Sequence, residues 1–402
     1  MVQQLKVSLV NRSGLSDDTV FLGFVGGAGC ELEAVNLADN KPLSLSQYMS
    51  PHWYPLSALK SGIGMTKFIG GRVYVCYGAP WTFVRAGYEP SPVNPTDPDY
   101  LKRYDKMEMT YTGTEYDVAD TTSIDFFSIP MELYVYKGGS PVSSVTASTT
   151  GKVVAALDAI TSPAKGAVVS DAGKFVRVIG PGVYPPPPGL PASPYDDFQA
   201  YLCHLQETYA KMRNGAIAAI KGRFAGVGPN PVTPETKPQD YDFAATIDAA
   251  LNITLTGSAS VVGTHSLTLT KGNLIAPSGI YGANPLFSVD GGRPIAPGND
   301  VYGWLIGDLL SGLNIGAVGS TVTPAGGSKP VGEMESQQWF KLKAYFGALQ
   351  PDMPNNYNRW ATTMAPLSQA YNFAYSDRFA HVVATLNPAV VDTLEIVILG
   401  DS

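Results

Sequence analysis

The chain has 402 residues, enough for two domains or one elaborated domain with a large core. Only 15% of residues are charged, the formal net charge is −7, and no run of Lys and Arg occurs. A nucleic-acid partner is therefore excluded, because neutralising phosphates needs clustered cations, and the absence of any eighteen-residue apolar window excludes a helix that crosses a membrane. From the amino terminus, Leu5, Val7 and Leu9 alternate with Lys6, Ser8 and Val10, the signature of a strand. Further strands are predicted over Thr19–Val25, Lys67–Ile69, Arg72–Tyr77 and Trp81–Arg85, with Gly-Gly and Asn/Asp/Pro punctuation between them. Pro90–Tyr100, with prolines at 90, 92, 95 and 98, is a surface loop. A strand pair is predicted at Lys106–Thr112 and Thr122–Tyr136, ending at Gly138-Gly139. Near residue 150 the pattern changes. Val153–Ile160 is helical, Phe175–Ile179 is a strand, and Pro185–Pro191 is a stiff polyproline spacer. Ser193–Lys221 reads as a helix capped by Ser193 or Asp196, with Phe198, Tyr201, Leu202, Leu205, Tyr209 and Met212 on one apolar stripe. Strands return at Ala250–Thr256 and His265–Thr270, helices at Asp300–Leu313 and Glu335–Leu349, and strands again at Arg378–Ala384 and Thr393–Leu399. The fold expected is mainly β with an α/β part. Residues 1–150 together with 365–402 form a β domain closed by its own C-terminal strand, and 151–364 form a mixed α/β domain.

The chemistry begins with exclusions. Cys30, Cys76 and Cys203 are odd in number and lack C-x-x-C spacing, and His52, His204, His265 and His381 are scattered. Neither a disulfide framework nor a metal site is expected, and no cofactor. No G-x-S-x-G elbow, P-loop or H-E-x-x-H occurs, and the glycines from Gly23 to Gly29 follow a strand without opening a helix. What remains is a pair of acids seventeen positions apart, Glu108 and Asp125. In a strand Glu108, Thr110 and Thr112 share one face and Met107, Met109 and Tyr111 the other; Asp125 shares a face with Ser123 and Phe127. Two carboxylates on one cleft are the minimum equipment for cleaving a glycosidic bond. The same letters also describe an ordinary solvated antiparallel pair, and Asp105, Glu115, Asp117, Asp120 and Glu132 lie close by. Downstream, Tyr371-Asn-Phe-Ala-Tyr375-Ser-Asp377 places aromatic faces beside an acid, a pattern suited to sugar rings and equally to a packed aromatic turn.

Taken together, Gly70-Gly-Arg-Val-Tyr-Val-Cys-Tyr-Gly78, the Glu108-Met-Thr-Tyr strand, Ser123-Ile-Asp-Phe-Phe-Ser-Ile-Pro-Met-Glu-Leu133 and Tyr371–Asp377 resemble the bacterial β-1,3-glucanases of glycoside hydrolase family 64, within the thaumatin-like superfamily. The resemblance implies a thaumatin-like β-sandwich or barrel joined to a mixed α/β domain, with a wide groove for a β-1,3-glucan between them. It implies an inverting endo-glucanase whose general acid matches Glu108 and whose general base matches Asp125. Such an acid is expected to be partly buried. Thr110, Thr112, Thr122, Tyr371, Tyr375 and Asp377 are the matching candidates for substrate contact. The disulfides of plant thaumatin-like proteins are absent, which rules out that branch and leaves the bacterial one. A monomer that works without cofactor is expected. The start, Met-Val-Gln-Gln-Leu, reads as a strand and carries no signal peptide, so secretion is expected only if a leader has been removed. The alternative is a glucan-binding protein that keeps this fold without activity; carboxyls facing one open groove would favour the hydrolase.

Overall fold

The structure, a computed structural model, describes residues 3–27, 29–46, 52–81, 88–161, 167–184, 193–213, 215–227 and 232–402. Its largest element is a barrel-like sheet. In spatial order it runs Ser140–Val145, Met131–Lys137, Thr393–Leu399, Leu5–Arg12, Ile63–Tyr77, Arg103–Tyr111, Val118–Thr121 and Val383–Thr385. The C-terminal strand lies parallel beside the N-terminal one, with Leu9 opposite Ile396. Its run Ile396-Val-Ile-Leu399 is buried on both faces, which is why no polar residue interrupts it. Leu5, Val7, Leu22, Val73, Met107, Leu133 and Ile396 fill the interior of this sheet.

The two strands expected at Lys67–Ile69 and Arg72–Tyr77 are one strand, Ile63–Tyr77, broken in register between Phe68 and Gly71. Gly70 takes φ +56°, and a Cβ on Gly71 would strike the Phe68 ring. The bend lets one strand serve two neighbourhoods. Its first half pairs with Leu5–Val7 and Glu31–Asn36, and its second half with Val20–Val25 and Arg103–Met109. The strand expected over Thr122–Tyr136 is likewise divided. The partner of the Glu108 strand is Val118–Thr121, before that range; within it, Phe126–Phe127 joins a separate three-stranded sheet with Lys174–Ile179, and Met131–Lys137 returns to the large sheet. Asp125 therefore sits in a bend, and its expected strand parity with Ser123 and Phe127 does not hold.

Beyond these sheets, Ala216–Phe224, Gln239–Ile247, Ile253–Ala259, Gly263–Leu269 and Ser288–Val289 form a five-stranded antiparallel sheet. The helix Val301–Ile315 packs against it, started by the Asp300 carboxylate accepting from Gly303 N at 2.8 Å and ended by Gly316 at φ +80°. The predicted helix Ser193–Lys221 is shorter than its pattern. It runs from Gln199 in α, π and 3-10 turns to Arg213, and neither predicted cap is used; Phe198 stands at the N-cap. Gly215 at φ +88° ends it, and Ala216–Phe224 is a strand because pairing with Gln239–Ile247 outweighs the helix preference of its alanines. The Phe198, Tyr201, Leu202, Leu205 and Tyr209 stripe is nevertheless core. Of Glu335–Leu349 only Ser336–Trp339 is α-helix; Phe346, at φ +58°, opens a separate 3-10 turn. Arg378–Ala384 is mostly turn, with Val383–Thr385 the strand. The polyproline run, residues 82–85 of the expected Trp81 strand and the Met212 side chain lie outside the described residues.

Candidate active site

The Arg103–Tyr111 strand alternates as its letters require. Met107, Met109 and Tyr111 point into the core, while Lys106, Glu108 and Thr110 point to the opposite face. On that face the register sets Arg72 opposite Glu108 from one side and Asp120 opposite it from the other. Two adjoining cavities of about 530 and 410 Å³ open there, and both include Arg72, Glu108 and Asp120. The larger is also lined by Gly26, Gly27, Tyr74, Glu89 and Thr110, the smaller by Lys106, Thr122, Asp125 and Tyr371. Together they form an open cleft of ligand-binding size in which charged side chains meet apolar walls.

The cations in this cleft are committed to particular acids. Arg72 Nε donates to Glu108 Oε1 at 3.0 Å and Arg72 Nη1 to Glu89 Oε2 at 3.3 Å. Lys106, whose side chain is 7% exposed, sits 3.2 Å from Glu89 and 3.6 Å from Asp125. Glu89 also accepts from the Tyr74 hydroxyl at 2.6 Å, so it is the hub that holds both cations in place. The partial burial expected of Glu108 is not found: its side chain is 49% exposed and faces Arg72. Asp120, by contrast, is largely buried and holds its proton more tightly than an ordinary carboxyl. Burial, then the Glu108 and Asp377 carboxylates, push it up to about 7.

The remaining candidates divide into three groups. Thr110, Thr122 and Tyr371 line the cleft. Tyr371 is brought there by a bridge to Thr122, its N–H donating to Thr121 O at 2.9 Å, and its hydroxyl approaches the Asp377 carboxyl. Asp377 is pushed up by desolvation. Thr112 faces elsewhere, donating to Asp117 at 2.8 Å. Tyr375 packs beneath the Arg378 guanidinium, 4.7 Å from its ring centre, and lines neither cavity. Two neighbouring acids are structural. Asp117 accepts from the N–H groups of Thr112, Gly113 and Thr114 and from two threonine hydroxyls, fixing the hairpin turn. Asp105 accepts from Ser128 N and Ile129 N, holding the segment just after Asp125.

Arg72, Tyr74, Glu89 and Lys106 escaped the reading of the sequence as site residues. The signal for Lys106 was parity with Glu108 along one strand, and for Arg72 its place in the neighbouring strand; Glu89, in a Pro-bounded loop, had none. Among the described residues no group of three potential metal ligands occurs.

A family model described as β-1,3-glucanase, glycoside hydrolase family 64, matches residues 3–216. No curated protein sequence matches the chain. Among solved structures, a β-1,3-glucanase domain of family 64 from Clostridium beijerinckii matches with TM-score 0.61 at 15% identity, covering 99% of this chain and 98% of that one. A laminaripentaose-producing β-1,3-glucanase in complex with laminaritetraose matches with TM-score 0.59 at 14% identity over 100% of both chains. A laminaripentaose-producing enzyme of Paenibacillus barengoltzii, complexed with laminarihexaose, matches with TM-score 0.51 at 13% identity, over 98% of this chain and 74% of that one.

Proposed function

Since this chain belongs to glycoside hydrolase family 64, the β-1,3-glucanases, we propose that its cleft hydrolyses internal bonds of β-1,3-glucan with inversion, Glu108 acting as general acid and Asp125 as general base. The observation that carries this reading is that Glu108 and Asp125 line one open cavity although Glu108 comes from a strand of the large sheet and Asp125 from the bend before Phe126. Glu108 delivers a proton to the glycosidic oxygen as the bond from that oxygen to C1 breaks. Asp125 takes a proton from the water whose oxygen bonds to C1 on the opposite face of the ring. Lys106 Nζ lies 3.6 Å from Asp125 Oδ2 and orients that carboxyl toward the cleft. Thr110, Thr122 and Tyr371 supply hydroxyls along the cleft for sugar hydroxyls. The neighbours crystallised with laminaritetraose and laminarihexaose support a β-1,3-glucan as the occupant. The enzyme works as a monomer on a glucan outside the cell. No described helix is long and apolar enough to cross a membrane.

Glu108→Gln and Asp125→Asn are the test, with laminarin as substrate and proton NMR of the first-formed anomer as readout. Each variant should lose at least about a thousand-fold in kcat while keeping the parent circular dichroism. Retention of parent turnover by both would refute the assignment. Binding of insoluble β-1,3-glucan by the parent without release of oligosaccharides would favour a binding protein.

A further inference from the structure

Asp120 stands in the cleft without an assigned task. It lies directly opposite Glu108 in the antiparallel register, between Ala119, which is fully buried behind it, and Thr121. Directly opposed residues carry Cβ atoms about 5 Å apart on the same face, so the two acids share one face of the cleft, and both line its two cavities. The charged groups around it come from every neighbouring element. Glu108 faces it from the paired strand, Asp377 with the Tyr371 hydroxyl from the C-terminal segment, and Arg72 from beyond Glu108. Arg72 is bonded to Glu108 and Glu89, and Lys106 to Glu89 and Asp125. Among the described residues no cation pairs with Asp120. Burial and the Glu108 carboxylate across the register both disfavour ionisation of Asp120.

We infer that Asp120 is a positioning residue for the acid step: it shares one proton with Glu108 across the strand pair and holds it in reserve for the acid. The inference rests on the assignment of Glu108 as general acid. The hold on the Asp120 proton, up to about 7, agrees with it. In each turnover the shared proton moves onto Glu108 and then to the glycosidic oxygen. The C1–oxygen bond breaks with its electron pair left on that oxygen, water forms the new bond to C1, and its displaced proton goes to Asp125. The Glu108–Asp120 pair is left fully ionised and regains one proton from solvent, while Asp125 returns its own. This explains how an exposed glutamate beside an arginine supplies a proton at all. Arg72 fixes its orientation and Asp120 stores the proton.

The pH dependence of kcat/KM on laminarin tests this for the parent, Asp120→Asn and Glu108→Gln, alongside a 13C titration of the aspartate carboxyls. Asp120→Asn should move the alkaline limb to lower pH and reduce the ratio of activity at pH 7 to that at pH 5 by about ten-fold. The carboxyl resonance titrating near pH 7 in the cleft should disappear. An alkaline limb superimposable on the parent's overturns the inference. So does an equal loss at every pH with a lowered melting temperature, which is what a purely structural aspartate would give. Glu108→Gln separates this from the underlying assignment. If it is inactive at all pH values while the Asp120→Asn profile is unmoved, only the shared proton is refuted; if it keeps parent activity, the acid assignment itself fails.

Discussion

Lys106→Met isolates how much the buried lysine contributes to catalysis. Methionine keeps most of the apolar stem, so the change removes a charge with little change of volume. Lys106 Nζ lies 3.6 Å from Asp125 Oδ2. At an effective dielectric of about 20, such a pair interacts with about 4–5 kcal/mol. The Asp125 side chain is 41% exposed, and water screens most of that, leaving about 1–2 kcal/mol. Since about 1.4 kcal/mol is ten-fold in rate, kcat on laminarin should fall by about 5- to 30-fold. Glu89 keeps Arg72 and Tyr74 as partners, so the fold should lose only about 1 kcal/mol in urea unfolding. Steady-state kinetics by reducing-end release, with Lys106→Arg as the charge-retaining control, measures the effect. A Lys106→Met enzyme within two-fold of parent kcat would show that Asp125 needs no cation. Equal losses in the Met and Arg variants would show that packing, and not charge, is the cause.

Other perturbations test the scaffold. Asp117→Ala strips the acceptor from three backbone N–H groups and two hydroxyls in the turn after the Glu108 strand, and should cost about 2–4 kcal/mol in urea unfolding. Gly71→Ala places a methyl group against the Phe68 ring at the bend that aims Arg72 at Glu108, so stability should fall by about 1–3 kcal/mol and laminarin turnover with it. Asp308→Ala leaves the Arg378 guanidinium buried without its carboxylate and deprives the Tyr241 and Ser336 hydroxyls of an acceptor, a loss of about 3–5 kcal/mol by calorimetry or urea titration. Asp105 and Asp120 are both pushed up to about 7, so the folded chain binds their protons more tightly than the unfolded chain. Their stabilising contribution is complete below about pH 4 and is lost as pH rises to about 7. Urea midpoints should therefore fall between pH 5 and pH 7.5, and the fall should be smaller in Asp120→Asn; a midpoint rising over that range in both would contradict it.

The letters of this chain settled the elements that build themselves locally or by one-face burial. Leu5, Val7 and Leu9 alternate in the observed first strand, Asp300 caps the helix that its apolar run predicts, and Ile396–Leu399 is a strand buried on both faces. Met107, Met109 and Tyr111 against Glu108 and Thr110 likewise gave the polar face of the acid-bearing strand before any contact was known. Where propensity and pairing disagreed, pairing decided. Ala216–Phe224 is composed like a helix and lies in a sheet because Gln239–Ile247 offers it a partner.

The acid pair shows the same division. Sequence alone determined that Glu108 points away from the core, because strand parity is a property of the chain itself. Only the tertiary structure decided that Asp125 leaves its strand at a bend and still returns to the Glu108 cavity, held by Lys106. It also decided that Asp105 and Asp117 serve the backbone while Asp120 faces Glu108. An acid's role follows from which donors, cations and other acids lie within a few ångströms, and those neighbours come from residues 72, 89, 371 and 377, whose nearness is set by sheet register and not by spacing along the chain.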